Sequence, residues 1–429
     1  MAARGERRGG LRGLLLSSAA SNLGDGIGKV AFPLLGASVT RDPVLIAGLS
    51  ATSFLPWLLF ALLSGALIDR VDRRKAMLVA NATRAVVIGG LSVLVLAGSA
   101  SIWLLYAVAL VLGVVETVAD SAAQALVPAV VDKDGLESAN GKLQSVEIVG
   151  QTFLGGPLGS ITFALFAALP FLLNTVGFVV AAVCLVALRG SFRPAAAAGP
   201  PARLRAQLGE GLRWVRARPL MLRLVFIALA LALFSELAQA LLVLYALQDL
   251  GLSEAAFGLF ALVGGVGGLL GAAAAPRLSA ALPRRAVLVG AVAACGAGFL
   301  GMGLVRDPVS ASLLFGLFAA AVVVVNVILG TLRHALVPEH LFGRVLGVWR
   351  TAVWGGIPLG ALLGGLLAKG IGTPGVFVVS GALQLALAAV VWVVVSGHGA
   401  DVDSLGADEP DEPDEPELDP AELDTLGKS

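Results

Sequence analysis

Apolar runs of about 20 residues, the length a helix needs to cross a bilayer, recur along almost the whole of this 429-residue chain. Nothing else in the sequence constrains the fold as strongly. In hydrocarbon every backbone polar group must be satisfied internally, which leaves helices or a closed barrel. Barrel strands alternate polar and apolar residues over about 10 positions. These runs are instead continuous and rich in Leu, Ala, Val and Gly, so they predict helices. The chain is 57% apolar and 14% charged, where soluble domains sit nearer half and a quarter. Its 54 glycines suit close helix contact in lipid. Twelve spans are predicted, near 14–38, 44–67, 76–97, 102–127, 141–166, 168–188, 222–247, 255–275, 285–305, 309–330, 343–368 and 374–396. Basic Met1–Arg12 and the Leu14–Leu16 run imitate a signal peptide. The apolar run continues through Gly24-Asp25-Gly26 to Val39, however, and reads as the first span.

The net charge of +1 conceals an asymmetry: of 30 basic and 29 acidic residues, positions 401–429 hold 12 acids and one Lys. The basic residues of the body fall in alternate loops: Arg4 to Arg12, Arg70 to Lys75, Arg189 to Arg218, Arg277 to Arg285, and Arg333 with Arg344. The intervening loops hold only Arg41, Arg306 and Lys369. Excess Lys and Arg mark the cytoplasmic side, so both termini are expected there, in the plasma membrane of a bacterium. The expected organisation is a basic N-terminus (1–13), a six-helix bundle (14–190), a linker (191–219), a second six-helix bundle (220–397) and an acidic tail (398–429). In the linker, Leu204, Leu208, Leu212 and Val215 at helical spacing among arginines predict an amphipathic helix on the membrane surface. The Asp408–Pro416 repeat predicts a solvated, disordered tail.

Sliding the chain on itself by about 210 residues exposes a duplication. Gln124-Ala-Leu-Val-Pro128 meets His334-Ala-Leu-Val-Pro338, Gly48 meets Gly258, and Arg73-Arg74 meets Arg284-Arg285. Gly156-Pro157-Leu158-Gly159 resembles Gly356-Ile-Pro358-Leu-Gly360. Parallel six-span repeats place substrate near the midplane between the halves. The same offset superposes Asp25 on Glu236 and Glu116 on Asn326. A carboxylate at membrane depth costs about 3 kcal/mol, so these residues are candidates for proton coupling or substrate contact, against a structural role for Asp25 in its Gly-rich turn. Glu147 is a further candidate, or else an ion-pair partner of Arg350; Arg84 reads as a structural or snorkelling Arg.

Between the second and third spans, Gly65-Ala66-Leu67-Ile68-Asp69-Arg70-Val71-Asp72-Arg73-Arg74 resembles the signature loop of the major facilitator superfamily, with Asp72 in place of its second Gly. That replacement, Ser21–Gly26, Phe54-Leu55-Pro56 and Leu126-Val127-Pro128 are similar to a drug and siderophore exporter branch that includes macrolide-efflux and enterobactin-exporter proteins. The resemblance covers about residues 10–397. It implies an all-α membrane fold of two pseudo-symmetric six-helix bundles, a gate formed by Gly65, Asp69, Arg70 and Arg73, and export by proton antiport with alternating access. Arg74 and Lys75 read as obeying the positive-inside rule alone. The Gly156-Pro157 core, in a segment with Thr152 and Ser160 where the exporter motif has Gly, supports export modestly and equally fits a Pro kink with close packing; Pro358 is its counterpart.

Asn22, Phe32, Phe54, Trp57, Phe234, Gln239, Tyr245 and Trp354 are the cavity candidates, against a role in lipid contact or packing. They suit a small amphiphilic substrate better than a sugar. Partners are then substrate, protons and lipid, with no nucleic acid, for a monomer. There is no phosphate-binding Gly-Lys-Ser/Thr loop and no zinc-type His-Glu pair on a helix. Neither enzyme, cofactor nor metal is expected, and Cys184 and Cys295 read as packing residues. Uptake by proton symport remains the competing function, with a non-transporting receptor or scaffold behind it.

Overall fold

A computed structural model describes residues 2–68, 70–131, 135–187, 192 and 204–396, and these are helical apart from short connections. The helices are α1 (Ala2–Val39), α2 (Pro43–Ile68), α3 (Arg73–Leu96), α4 (Ile102–Val130), α5 (Leu136–Glu147), α6 (Gly156–Leu165), α7 (Leu169–Ala187), α8 (Leu204–Arg216), α9 (Pro219–Gln239), the single turn α10 (Leu242–Leu244), α11 (Glu254–Ala281), α12 (Arg284–Leu304), α13 (Pro308–Leu336) and α14 (Glu339–Ser396). A π-helical segment, Ile148–Gly155, joins α5 to α6 as one span; another, Tyr245–Asp249, extends α10.

Among the described residues, ten helices are long and apolar enough to cross a membrane. One of these, α14, is two passes: Gly372 at φ 73° and ψ 165° breaks its 58 residues, a left-handed φ that only glycine adopts freely. With α1, which carries Asn22, Asp25 and Lys29, the described residues make twelve passes in two six-helix bundles. Loops therefore alternate between two faces, called here the Asp42 face and the Asp72 face.

Side chains complete the helix ends. Ser101 and Ser253 accept from the N–H groups of Leu104 and Ala256, and Asp307 from that of Ser310 at 2.7 Å. Asp72 caps α3, accepting from the N–H groups of Lys75 and Phe192. Arg74 donates to the carbonyls of Leu185 and Val186 at 2.7 and 2.8 Å. It thus satisfies the open end of α7, which goes beyond the topological role expected from its sequence position. Asp69 lies outside the described residues, as does the acidic tail. Arg70 is exposed, and Arg73 half-buried beside Phe192.

The duplication is visible in packing. In the first bundle the Gly-Pro segment lies on α1: a Cβ at Gly155 would stand 2.5 Å from Cα of Gly26. In the second, Gly356 and Gly360 on either side of Pro358 lie on α9, and a Cβ at Gly360 would come 3.1 Å from that of Glu236. Small residues thus let backbones approach at corresponding places. The bundles meet through α2 against α14 and α6 against α11. One close approach lies toward the Asp42 face, where a Cβ at Gly365 would meet Cβ of Ala47 at 2.7 Å and the carbonyl of Pro43 at 2.9 Å.

The linker helix α8 is seated on protein. Gly211, Trp214 and Val215 are buried, Gly211 against the backbone of Arg344, and Glu210 pairs with Arg344 at 2.6 Å.

Candidate functional site

A cavity of about 680 Å³ opens among α1, α2, α3, α4 and α7, with α9, α10 and α11 forming its other wall. Its lining is mostly apolar, with Phe32, Phe54, Trp57, Phe171 and Phe178 supplying aromatic surface. Such a space suits a drug-sized molecule, fixed by a few polar groups. The polar groups concentrate on the first bundle. Arg84 is 4% exposed and does not snorkel. It pairs with Asp25 at 3.5 Å, lies 5.2 Å from the Phe178 ring, and shares the cavity wall with Glu116. One buried cation thus stands among carboxylates, which is how a charge persists in an apolar wall.

A second polar group hangs from α1. Lys29 donates to Gln151 Oε1, Gln151 donates to Asn22 Oδ1 at 2.6 Å, and Asn22 donates to the Ser18 carbonyl at 2.8 Å. Gln151 sits in the π-helical segment Ile148–Gly155, a wider turn that recurs at functional sites. Nearby, Asn174 lines the cavity at 3% exposure, with its Oδ1 lacking a hydrogen-bond partner among the described residues.

Glu236 belongs to the other bundle. It is 9% exposed and accepts from Ser50 Oγ of α2 at 2.8 Å. Among the described residues no Lys or Arg lies within ion-pair distance of it. This is a hydrogen bond between the two halves, made by a carboxylate whose neighbours Ser50 and Gln239 line the cavity.

Asp25, Glu116, Phe32, Phe54, Trp57 and Gln239 line the cavity. Asn22 does not line it and is joined to it through Gln151 and the cavity-lining Lys29. Phe234, Tyr245 and Trp354 do not line it; Tyr245 is fully buried and donates to the carbonyl of Met302. Trp354 instead meets Trp57 edge-on at 5.5 Å across the bundle interface. The pair stands between the main cavity and a smaller one of about 120 Å³ lined by Arg350. Asn326 and Glu147 are exposed and off the cavity. Glu147 makes no ion pair with Arg350 among the described residues; Arg350 lies over Trp354, 5.5 Å from its ring. Lys29, Ser50, Gln151 and Asn174 were not singled out by sequence. A polar residue inside an apolar run is the one signal that could have found them.

The Asp42 side of the cavity is shut. Ser160 of α6 donates to the carbonyl of Glu254 and accepts from the N–H of Gly258 at 2.9 Å. Lys369 of α14 pairs with Asp42 at 3.1 Å. Burial would raise the Asp42 carboxyl, but the Lys369 ammonium and the N–H groups of Val44 and Leu45 outweigh it and hold the group below its ordinary range.

Residues 7–421 match the model of a family described as transmembrane secretion effector. The chain is 26% identical over 389 residues to the multidrug efflux pump Tap of Mycolicibacterium fortuitum, covering 86% of this chain and 92% of that one. A mutant of the nucleoside transporter NupG shares the fold at a TM-score of 0.73 and 10% identity, over 90% of this chain and 99% of that one. A bacterial homologue of the iron transporter ferroportin, in an inward-facing state, does so at 0.68 and 17%, over 92% and 98%.

Proposed function

From the premise that the chain belongs to the transmembrane secretion effector family of major facilitator transporters, we propose that it exports amphiphilic small molecules by proton antiport, exposing its cavity alternately to the two sides of the membrane. The naming of a relative as a multidrug efflux pump favours export over uptake. The basic loops favour a cytoplasmic Asp72 face. With the Asp42 face shut, the cavity then belongs to an inward-facing state. Phe32, Phe54 and Trp57 take the apolar part of a substrate, and the Asp25, Arg84 and Glu116 group its polar end.

The observation that carries the reading is the Ser50–Glu236 hydrogen bond. It joins a carboxylate in a span, without an ion-pairing cation among the described residues, to the other of two bodies that must separate. Gain or loss of one proton changes what this junction tolerates, so proton binding and opening are linked. Asp25 is the second candidate, with its charge already answered by Arg84. The gate residues Gly65, Asp69, Arg70 and Arg73 bias the same two-state equilibrium from the Asp72 face.

The test is proton-driven transport of a fluorescent amphiphilic amine in vesicles holding the wild type, Glu236→Gln or Asp25→Asn. One charge moved through 100 mV supplies about 2.3 kcal/mol, or roughly fiftyfold accumulation. Glu236→Gln removes that gradient-driven component while binding of the amine persists. Full, still pH-dependent transport in both variants would end the coupling proposal. In cells, export lowers amine content relative to cells without the protein, and uptake raises it.

A further inference from the structure

Two features stand outside the transport reading: the acidic tail and the exposed edge of α8. Positions 401–429 carry 12 Asp and Glu against one Lys, six of the acids in Asp408–Pro416 alone. On α8 the buried side, Gly211, Trp214 and Val215, is committed to protein. The opposite side and the start of α9 expose Arg213, Arg216, Arg218 and Arg223. Arg213, Arg216 and Arg223 make no ion pair among the described residues. Arg218 lies over the Trp214 ring at 4.1 Å, an arrangement that leaves the edge of a guanidinium free for a carboxylate.

We propose that the acidic segment 408–416 of this same chain docks on the arginine strip Arg213–Arg216–Arg218–Arg223. Topology brings the two together. The second pass of α14 ends at Ser396, back on the face where Glu339 begins the first pass and where α8 holds Arg344. Eleven residues lie between Ser396 and Asp408, a reach of about 40 Å, enough to cross about four helices packed 8–10 Å apart. Tethering raises the local concentration of the acids to the order of millimolar, so individually weak surface pairs add up. An anionic lipid headgroup could meet the same arginines. The tail is favoured because its charge is matched to the strip within one molecule, and because Trp214 and Val215 of α8 are buried against protein rather than presented to the membrane.

The test places a photo-crosslinking phenylalanine derivative at Leu212, an exposed position beside Arg213, in the full chain in phosphatidylcholine vesicles. Cross-links to residues 401–429 are expected at low salt. Arg213→Glu, Arg216→Glu and Arg218→Glu together lower them about tenfold, and changing the six acids of 408–416 to Lys in that background restores them. The restoration separates lost docking from lost folding. Absence of tail cross-links, or cross-links indifferent to the charge reversal, overturns the proposal. So does their replacement by lipid adducts once phosphatidylglycerol is added, which would make the strip a lipid site.

Discussion

Arg84 is the residue around which the first bundle's charges are arranged. It pairs with Asp25, shares the cavity wall with Glu116, and is only 4% exposed. Removing one member of a buried pair costs 3–5 kcal/mol, because the other is left charged and unanswered. Asp25 is 20% exposed through the cavity, which places Arg84→Gln toward the low end, about 3 kcal/mol. The expected outcome is a clear fall in the thermal unfolding midpoint of the purified protein, with Asp25→Asn in the same chain recovering most of it. An unchanged midpoint in Arg84→Gln alone would mean that the pair does not hold α1 to α3. The charges of this site were legible in the sequence, since ionisable residues inside apolar runs are expensive and stand out. Their pairing was not. The offset that matched Glu116 to Asn326 is a property of the duplicated fold, yet only Glu116 turns into the cavity. Which way a side chain points depends on helix rotation against neighbours, and apolar runs with no polar face leave that rotation unmarked.

Helices and their number follow from apolar run length, so the spans were largely readable. The exceptions have physical reasons. The π-helical segment in the fifth span has the composition of any apolar helix, and the turn at Gly372 is one glycine among 54. The Gly-Pro segments were visible as motifs, but only packing reveals that each seats its helix against α1 or α9. The interface between the bundles depends on the same economy of volume. At Gly365, α14 approaches α2 so closely that a side chain must push the helices apart, and overpacking of that kind costs 1–3 kcal/mol. Gly365→Leu therefore opens the Asp42 face. Labelling of Ser53→Cys, a cavity position, by an impermeant thiol reagent from that side should rise by about tenfold, the equivalent of 1.4 kcal/mol. Labelling equal to that of the parent would place the closure elsewhere than at this crossing.

For the molecule as a whole, closure of one face is a balance between its two bundles, and the Asp42–Lys369 pair is the part of that balance open to solution. The sign of its pH dependence follows from the carboxyl. Its value in the closed state lies below the ordinary 3.8, through Lys369 and two backbone N–H groups acting against burial. A face that opens breaks the pair and returns Asp42 toward the ordinary value. The pair's contribution to closure is therefore complete above 3.8 and is lost as the pH falls through the lower, closed-state value. Across neutral pH this contact is constant, so the proton coupling proposed above is assigned elsewhere, to Glu236. The two side chains are 54% and 35% exposed, which limits an ion pair to about 1 kcal/mol, or roughly fivefold in the open population, and makes it sensitive to salt. Asp42→Asn should raise Ser53→Cys labelling about fivefold at neutral pH. High salt should give part of the same increase in the parent and none in the variant. If Asp42→Asn labels like the parent at neutral pH, the face is held by the helix crossings alone and the charged pair merely accompanies its closure.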